Sequence, residues 1–464
     1  MLAVALVPGC TAGSGEGARP APSADSPPGD ATSASPPAAS SPAATPAGRV
    51  PLAVAVHPSR GRVRLTAAQA RALAAGTVTD WAELGSPPGP LHPGTVRDVR
   101  RDRDAVAVVP VDRVDATVSL ATVGGADPLR DAARYPLTTD GPAPPAVTTV
   151  TVAGDVMLGR RVGDRLAVTG DPALALRPMA DRLAGADLTI GNLESTLSQA
   201  GAPRQGGDSF GAAPSVRAGL RLAGFDVLSL ANNHTGDYGP EALVRTVRRV
   251  RAAGIEPLGA GPDRDAAARP VVVERNGTSF GLLAFDAIGE SPRAGAGRPG
   301  VLRVRMEPRT GPLDRGDLDR VTGLVRDLAA RVDVVIVVPH WGTQYTHRTV
   351  RDQRRVAREL VDAGADVVAG GHPHWVQGVE VVRGGFVAYS LGNFVFDMDF
   401  SRTTQEGALL ELAFWGAELK GARLVPYVIG RDFAPRVAPG ARGTAILDDV
   451  WRASGPPLRG THAR

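Results

Sequence analysis

The chain is short of cysteine, lysine, aromatic residues and long hydrophobic runs. Its 464 residues include one cysteine, Cys10, and one lysine, Lys420, and aromatic residues make up 4% of the sequence. A single cysteine excludes an intramolecular disulfide. No segment approaches the ~20 consecutive apolar residues that span a bilayer. We therefore expect any membrane attachment to be through a lipid anchor.

The positive charge of the chain comes almost entirely from arginine. The formal net charge is +4 at pH 7. In the densest basic segment, residues 97–103, arginines alternate with aspartates, and no aromatic residue is present to stack on a base. This pattern is typical of a solvated surface. The composition therefore predicts no nucleic-acid partner.

The surroundings of Cys10 resemble the end of a bacterial lipoprotein signal. An apolar run from Leu2 to Val7 precedes the small residue Gly9, and small polar residues follow the cysteine. We expect residues 1–12 to be such a signal, with Cys10 lipidated and the protein anchored outside the cytoplasm at the cell surface. No positive segment precedes the apolar run, which a start codon assigned too late would explain. The alternative is a free thiol in a disordered tail.

The rest of the chain divides into five segments. Residues 13–49 consist largely of Ala, Pro, Ser, Gly and Thr and predict a disordered tether. Residues 50–138 predict a small α/β domain, and the proline-containing residues 139–146 predict a linker. Residues 147–430 predict the main α/β domain, in which strands alternate first with amphipathic helices and then with hairpins, so its sheets are mixed. Residues 431–464 are expected to be an irregular tail.

Five short polar motifs each follow a hydrophobic run in the main domain. They are Gly154-Asp155, Asn192-Leu193-Glu194, Asn232-Asn233-His234, His340-Trp341-Gly342 and Gly371-His372-Pro373-His374. Each is expected at the carboxyl end of a strand, where open α/β sheets hold their chemistry. Four of the eight histidines fall in these motifs. We therefore expect the motifs to converge on one site.

The residue types in these motifs suit a hydrolytic metal centre, which needs carboxylate, amide-oxygen and neutral imidazole ligands. The predicted ligands are Asp155, Glu194, Asn233, His340, His372 and His374. Six such ligands favour two divalent cations of the Mn, Zn or Fe class. A pair about 4 Å apart would clamp both the attacking and the leaving oxygen of a phosphoryl transfer. A single cation is the alternative.

His234 is predicted to donate a proton to the leaving group, with Asp237 orienting its ring. Because His234 follows Asn233 directly, its side chain is expected to diverge from a metal that Asn233 binds. The substrate is expected to be an anionic polymer or a phosphoester. The predicted substrate-binding residues are Arg160, Asn192, Trp341 and His347.

In sequence and in order, the motifs resemble those of the CapA family of capsule and poly-γ-glutamate synthesis proteins. The matching stretches are Gly154 to Arg160, Asn192 to Ser195, Ala231 to Gly239, His340 to Gly342, Gly364 to His374 and Tyr389 to Phe394. The resemblance implies a calcineurin-like metallophosphoesterase fold, with two mixed β-sheets sandwiched between helices. It also implies a role in making, exporting or anchoring an extracellular polyglutamate-type polymer, with membrane synthesis or export proteins as partners.

The sequence departs from the wider phosphoesterase pattern at two motifs. Phosphoesterases of that superfamily usually begin with Asp-x-His, and Met157 stands in place of the histidine. Their second aspartate motif is replaced by Asn192-Leu193-Glu194, and spacing does not decide whether Asn192 or Glu194 reaches the metal. These departures leave a non-catalytic alternative, in which the pocket binds an anionic polymer and membrane partners carry out the chemistry.

The first domain resembles a segment of phosphate-binding-type periplasmic solute receptors. The likeness is carried by Leu65 to Gln69, Gly76 to Gly85 and Tyr135 to Leu137. Since residues 50–138 are too few for two lobes, one lobe of the receptor is expected to be missing. A receptor function for the whole chain is therefore the weakest of the three hypotheses, and Trp81 is expected to be a core residue.

Overall fold

The computed structural model describes residues 47–459, which belong to one compact unit. The predicted signal with Cys10 and nearly all of the predicted tether lie outside the described residues. Within residues 47–459, no helix combines the length and the apolar character that crossing a membrane requires.

The N-terminal region is built around a five-stranded sheet in the order β3-β4-β1-β5, with β7 also paired to β1. Its elements are β1 (Ala47–Val56), β2 (Arg64–Leu65), α1 (Ala67–Ala74), β3 (His92–Pro93), α2 (Val96–Val99), β4 (Ala105–Pro110), β5 (Ser119–Leu120), β6 (Thr122–Val123) and β7 (Thr138–Pro142). Trp81 and Tyr135 are buried in its core, as expected for Trp81. The likeness to solute receptors stays a prediction.

The predicted boundaries of this region are wrong on both sides. Strand β1 begins at Ala47, inside the predicted tether, and β7 occupies the first half of the predicted linker. The two strands pair antiparallel, with Arg49 opposite Asp140. The turn-forming residues Gly141 and Pro142 suggested a linker, but an edge strand tolerates them because it needs fewer ladder hydrogen bonds.

The main domain continues with elements that alternate between strands and helices. Its first half contains β8 (Val147–Val156), α3 (Arg160–Thr169), α4 (Ala180–Ala184), β9 (Leu188–Leu193), α5 (Arg217–Leu222), β10 (Val227–Ser229), α6 (Gly239–Arg251), β11 (Glu256–Leu258), β12 (Ala260–Gly261) and α7 (Arg264–Ala268). Its second half contains β13 (Val271–Arg275), β14 (Thr278–Asp286), β15 (Gly300–Val301), α8 (Arg315–Ala329), β16 (Val334–His340), α9 (Arg351–Asp362), β17 (Val367–Ala369), β18 (Val379–Val382), β19 (Gly385–Ala388) and β20 (Asn393–Val395). The last elements are β21 (Glu406–Trp415), β22 (Glu418–Ile429), β23 (Pro435–Val437) and α10 (Gly440–Ala453).

These strands form the two mixed sheets that the sequence predicts. The first sheet has eight strands in the order β11-β10-β9-β8-β21-β22-β23, with β20 also paired to β8. The second has six strands in the order β13-β14-β16-β17-β19-β18. Strands β8, β9 and β10 run parallel, as do β14, β16 and β17. Their carboxyl ends therefore meet at a common edge of each sheet.

The two sheets pack face to face and are covered by helices on their outer faces. Val152 of β8 and Ile336 of β16 belong to one buried cluster between the sheets. Leu243 of α6 packs in a second cluster on the outer side of the first sheet. Val321 and Val325 of α8 pack in a third cluster on the outer side of the second sheet. The result is the expected α/β sandwich of two mixed sheets flanked by helices.

The predicted irregular tail is wrong for much of its length. Residues 435–437 form β23, and α10 follows it. Ile446, Val450 and Trp451 of α10 are buried in the cluster between the sheets. The spacing of Ile446 and Val450 is a helical signal, but the surrounding glycine and threonine residues have low helix propensity. Packing against the sheets decides the structure of this segment.

A buried carboxylate joins the N-terminal region to the first sheet. Glu411 of β21 is 3% exposed and accepts hydrogen bonds from Arg423 Nε at 2.9 Å and from Arg182 Nη1 at 2.5 Å. Arg130 of the N-terminal region lies 3.6 Å from the same carboxylate. Burial acts to raise the pKa of Glu411, but the nearby arginine charges outweigh it and hold the pKa below its usual value.

We expect Glu411→Gln to lower the free energy of unfolding by about 2–3 kcal/mol. Breaking a fully buried ion pair costs ~3–5 kcal/mol, and the loss here should be smaller because the arginines around Glu411 are partly exposed. Urea denaturation at pH 7 measures this loss. Because the pKa of Glu411 is lower in the folded protein than in the unfolded chain, where it is near 4.5, the carboxylate stabilises the fold at pH values above 4.5. This contribution disappears as the pH falls through the folded-state pKa. The difference between the two proteins should therefore shrink below pH 4.5. The exposed Glu241→Gln is the control, with an effect of about 0.5 kcal/mol or less.

Candidate metal centre

The five polar motifs converge where the carboxyl ends of the parallel strands meet. Asp155 ends β8, Glu194 follows β9, and Asn233 lies in the loop after β10. His340 ends β16, and the loop after β17 carries the other two predicted histidine ligands. All six predicted ligands are buried: Asp155, Glu194, Asn233, His340, His372 and His374.

The buried ligands form two overlapping groups. Glu194, His340 and His372 make up one group, and in it the potential ligand atoms all lie within 4.8 Å of one another. Asp155, Glu194 and His374 meet the same criterion. In the first group, His340 Nε2 lies 3.7 Å from Glu194 Oε1. Glu194 is common to both groups, and these buried clusters could hold a metal ion.

The residues present fit a bound cation. Both carboxylate oxygens of Glu194 and both ring nitrogens of His372 are buried without a hydrogen-bond partner among the described residues. A buried polar group left unpaired costs about 1–3 kcal/mol, and a charged one costs more. A divalent cation coordinated by these atoms would offset that cost. Oxygen and imidazole ligands together suit the Mn, Zn or Fe class.

The backbone around the two histidines of the β17 loop is strained. His372 has φ 93° and His374 has φ 58°. Such conformations cost of order 1–3 kcal/mol each in a residue with a side chain, and they cluster at functional sites. The loop also brings the His372 N–H within 3.1 Å of Asp155 Oδ2, to which it donates a hydrogen bond.

Asn393 of β20 fixes the tautomer of His374. Its amide nitrogen donates to Thr404 O at 2.9 Å, so its amide oxygen is the atom that lies 2.8 Å from His374 Nδ1. Because that oxygen only accepts, Nδ1 of His374 carries the proton and Nε2 is free to bind a cation. No pattern in the sequence signals this role of Asn393.

The contacts of Asn192 indicate which residue of its motif is available to a metal. Its amide nitrogen donates to Asp155 Oδ1 at 2.8 Å, and its amide oxygen accepts from Asn232 Nδ2 at 2.9 Å. Both ends of Asn192 are therefore engaged, whereas both oxygens of Glu194 have no hydrogen-bond partner in the described part of the chain. The side chain of Asn192 is buried among the ligands and holds Asp155, so these contacts do not support its predicted role in substrate binding.

Asn233 and His234 do not diverge as expected. Asn233 Oδ1 lies 2.9 Å from Nε2 of His340, which in turn faces Glu194. His234 Nε2 lies 3.8 Å from Glu194 Oε1. Asn233 therefore contacts one predicted ligand, His340, and its neighbour His234 lies near another, Glu194.

Asp237 lies within hydrogen-bonding distance of the His234 ring, as its predicted orienting role requires. His234 Nδ1 lies 2.9 Å from Asp237 Oδ2. The carboxylate also accepts the Phe210 N–H at 2.6 Å and a hydrogen bond from Gln205 Nε2 at 2.5 Å. Since a carboxylate accepts, Nδ1 carries the proton and Nε2 faces the ligands. The ring of Phe210 stacks on His234 with the centroids 3.6 Å apart.

Burial dominates the electrostatics of the site. It raises the pKa of Asp155 to about 6 and raises the pKa of Glu194 well above its usual value, with the charge of Asp155 adding to the second shift. It lowers the pKa of His340 and of His372 well below the usual value and that of His374 to about 3. The imidazoles are therefore held in the neutral form that binds metals.

Two predicted substrate-binding residues lie away from the ligands. Trp341 is fully buried in the core of the second sheet, and its Nε1 donates to Tyr389 O at 2.9 Å. Its neighbour His340 faces the site, and successive side chains of a strand point to opposite faces. His347 lies 2.6 Å from Val376 O and 3.9 Å from Asp449 of α10. These contacts do not support the predicted substrate-binding roles of the two residues.

Arg160, the remaining predicted substrate-binding residue, lies near His234. Its guanidinium sits 4.5 Å above the Phe210 ring, on which His234 also stacks. It forms ion pairs with the buried Asp397 and with the exposed Asp208, the latter at 3.0 Å. Much of its charge is therefore balanced within the chain.

Sequence interpretation missed the aromatic residues beside the ligands. The Tyr345 ring stacks on His374, with the centroids 5.9 Å apart, and contacts Phe400 at 5.5 Å. Tyr345 and Phe400 are 39% and 66% exposed, so they form the solvent-facing side of the site. Met157, which replaces the expected histidine, is fully buried in the core outside the first sheet.

Gly371 is needed because Asp155 approaches its Cα closely. A Cβ at this position would lie 2.5 Å from Asp155 Oδ1. We expect Gly371→Ala to displace Asp155 and to weaken metal binding by about 10- to 100-fold, as changes around metal ligands do. Equilibrium dialysis followed by elemental analysis measures the affinity. Gly207→Ala, whose Cβ would meet nothing within 4 Å, is the control. Equal affinities for both variants would contradict a role for Asp155.

Comparison with known proteins identifies the family of the chain. The chain is 31% identical over 268 residues to the capsule biosynthesis protein CapA of Bacillus anthracis. The matched region covers 57% of this chain and only 63% of the Bacillus protein. It is 32% identical over 301 residues to a probable polyglutamine synthesis accessory protein of Mycobacterium tuberculosis, with 55% of this chain and 76% of that protein covered. A hypothetical protein from Thermus thermophilus with a known crystal structure is 17% identical in sequence, with a TM-score of 0.38. The match covers 61% of this chain and 99% of the Thermus chain. Residues 149–398 match the family described as bacterial capsule synthesis protein PGA_cap, and the chain belongs to that family.

Proposed function

We propose that this chain is a metal-dependent hydrolase of the phosphoesterase type that acts in the synthesis of a capsular or poly-γ-glutamate-type polymer. The names of the Bacillus and Mycobacterium relatives support the polymer. The observation that carries the hydrolase is Glu194, a fully buried carboxylate that has no hydrogen-bond donor among the described residues and belongs to two groups of potential ligands. A carboxylate in that environment is best explained by a cation.

Two divalent cations of the Mn, Zn or Fe class would be held by the predicted ligands, and Glu194 belongs to both groups of them. Asp155, Asn233 and the three buried histidines of the site would complete the coordination. When bound, such cations supply Lewis acidity and positive charge, which activate water and stabilise a phosphoryl group in hydrolysis. The neutral imidazoles and the buried carboxylates are suited to that role without a serine or cysteine nucleophile.

The chain's own residues would handle the proton and the substrate. In its doubly protonated form, His234 would donate the proton on Nε2 to the leaving oxygen and return to the neutral ring, while Asp237 holds its Nδ1–H and keeps the ring in place. Phe210 covers one face of that ring and keeps water away from it. Tyr345 and Phe400, on the solvent-facing side, would contact the part of the substrate that extends from the site.

We further propose that the protein works outside the cytoplasm, as a lipoprotein anchored through Cys10 and together with membrane proteins that synthesise or export the polymer. The composition around Cys10 and the names of the relatives support this location. Mass spectrometry of the protein isolated from its own cells tests it. A diacylglyceryl adduct on Cys10 is expected, and an unmodified thiol would contradict the anchor.

The test of the hydrolase is a metal-dependent turnover assay on the purified chain. Elemental analysis should find a metal of the Mn, Zn or Fe class, and hydrolysis of bis(p-nitrophenyl) phosphate should stop after chelation and return with added metal. Bound metal without turnover of phosphomonoesters, phosphodiesters or γ-glutamyl amides would favour the non-catalytic alternative, in which the pocket only binds the anionic polymer. Absence of any bound metal would contradict the metal centre itself.

A further inference from the structure

A cavity of about 140 Å³ lies beside α7 and α8, outside the metal centre. One water needs roughly 10–15 Å³ of such space. The cavity therefore has room for several waters or for one small polyatomic ion. Part of its wall is apolar and includes Val301 and Leu302. Its polar side chains are four arginines: Arg264, Arg293, Arg303 and Arg320. None of these residues belongs to the ligand groups of the metal centre.

The carboxylates near the cavity balance only part of this charge. Asp317 of α8 accepts a hydrogen bond from Arg293 Nη1 at 3.1 Å and lies 3.5 Å from Arg320. Asp286 at the end of β14 lies 3.4 Å from Arg303 Nε. Four guanidiniums thus face two carboxylates.

Arg264 is an exposed residue that has neither an ion pair nor a side-chain hydrogen bond with any residue in the range 47–459. It is the first residue of α7 and extends to the cavity. Arg303 also has an unused donor, because its Nε is buried without a hydrogen-bond acceptor among the described residues. Two of the four arginines therefore have hydrogen-bonding capacity that the described part of the protein does not satisfy.

Like charges that share a small cavity repel one another, and a buried donor without an acceptor is unfavourable. An oxyanion removes both costs, because it brings negative charge and several acceptors at once. The planar guanidinium fork matches the geometry of carboxylate and phosphate oxygens.

We propose that this cavity is a second binding site, separate from the metal centre, for a small multivalent oxyanion: a phosphate or a dicarboxylate. Arg264 contributes a guanidinium that has no ion pair or hydrogen bond among residues 47–459, and Arg303 contributes one that is paired with Asp286. Arg293 and Arg320, which share Asp317, provide further positive charge. The site depends on these side chains alone and does not require hydrolytic activity.

Isothermal titration of the full-length protein, stripped of metal with a chelator, tests the proposal. Inorganic phosphate and succinate are the two probes, each titrated at constant ionic strength, and chelation prevents phosphate from binding through a metal. Arg264→Gln should weaken binding of the preferred probe about tenfold or more, because one charge-assisted contact is lost. Arg269→Gln is the matched control, since Arg269 is an exposed arginine that caps the same helix outside the cavity.

The outcomes separate the alternatives. Binding of one equivalent that is weakened in Arg264→Gln and retained in Arg269→Gln supports the site, and the tighter probe identifies phosphate or dicarboxylate as its ligand. Equal weakening in both variants would show non-specific attraction to an arginine-rich surface and overturn the proposal. No binding of either probe by the native protein at millimolar concentration would also overturn it. If Arg264→Gln fails to fold, the exposed Arg320→Gln takes its place under the same criteria.

Discussion

Replacing Glu194 by glutamine is expected to abolish stable metal binding while leaving the metal-free protein no less stable than the native one. The substitution keeps the shape of the side chain but removes the carboxylate common to both ligand groups. Changes around metal ligands weaken affinity by 10- to 100-fold, and we expect loss of a shared ligand to exceed about 100-fold. In the metal-free state, the variant loses a buried carboxyl group that has no hydrogen-bond donor among the described residues, so its unfolding free energy should not fall.

Two measurements on the same samples check this prediction. Elemental analysis gives the bound metal, and thermal unfolding with and without chelator gives the stabilisation. At a metal concentration 100-fold above its dissociation constant, the native protein should gain about 2.7 kcal/mol, whereas Glu194→Gln should gain almost nothing. Asp208→Asn removes an exposed acidic charge near the site and should behave like the native protein. A variant that binds metal normally would exclude Glu194 as the shared ligand.

The convergence of the motifs could be predicted from the sequence because a simple rule governs it. Each motif follows a hydrophobic run, and parallel strands bring their carboxyl ends to one edge of a sheet. Asp155 and His340 lie where this rule puts them. The same rule does not assign directions to neighbouring side chains. It therefore could not distinguish His340, which faces the ligands, from Trp341, which faces the core.

The residues around the ligands could not be predicted because they depend on contacts between distant segments. Asn393 reaches His374 only because β20 pairs with β8 beside Asp155. Gln205 and Phe210 lie in a loop without helical or strand periodicity, yet both contact Asp237. Helix α10 was missed for a related reason, since its weak intrinsic propensity is overridden by packing against the sheets. Tertiary placement, which no local pattern encodes, decided these cases.

Replacing His234 by asparagine is expected to lower kcat by about 10²- to 10⁴-fold while the bound metal is retained. The expectation rests on the orientation of the ring, because Nδ1 donates to Asp237 and leaves Nε2 to face the ligands. The loss should depend on the leaving group. A phosphodiester with an alkoxide leaving group needs the proton and should show the full effect. One that releases p-nitrophenolate needs it less and should show a smaller effect.

The dependence on the leaving group separates a proton donor from a metal ligand. His234 Nε2 lies 3.8 Å from Glu194 Oε1, close enough for a role as a ligand to be the competing explanation. A ligand's loss would lower metal content and reduce turnover of both substrates equally, whereas a donor's loss leaves the metal and affects mainly the poor leaving group. Asp237→Asn is the matched variant, since it leaves the imidazole in place but replaces the charged acceptor of its Nδ1–H by a neutral amide, which weakens that hydrogen bond. It should reproduce the same leaving-group pattern with a smaller loss, and a fall in metal content in either variant would assign His234 to the metal instead.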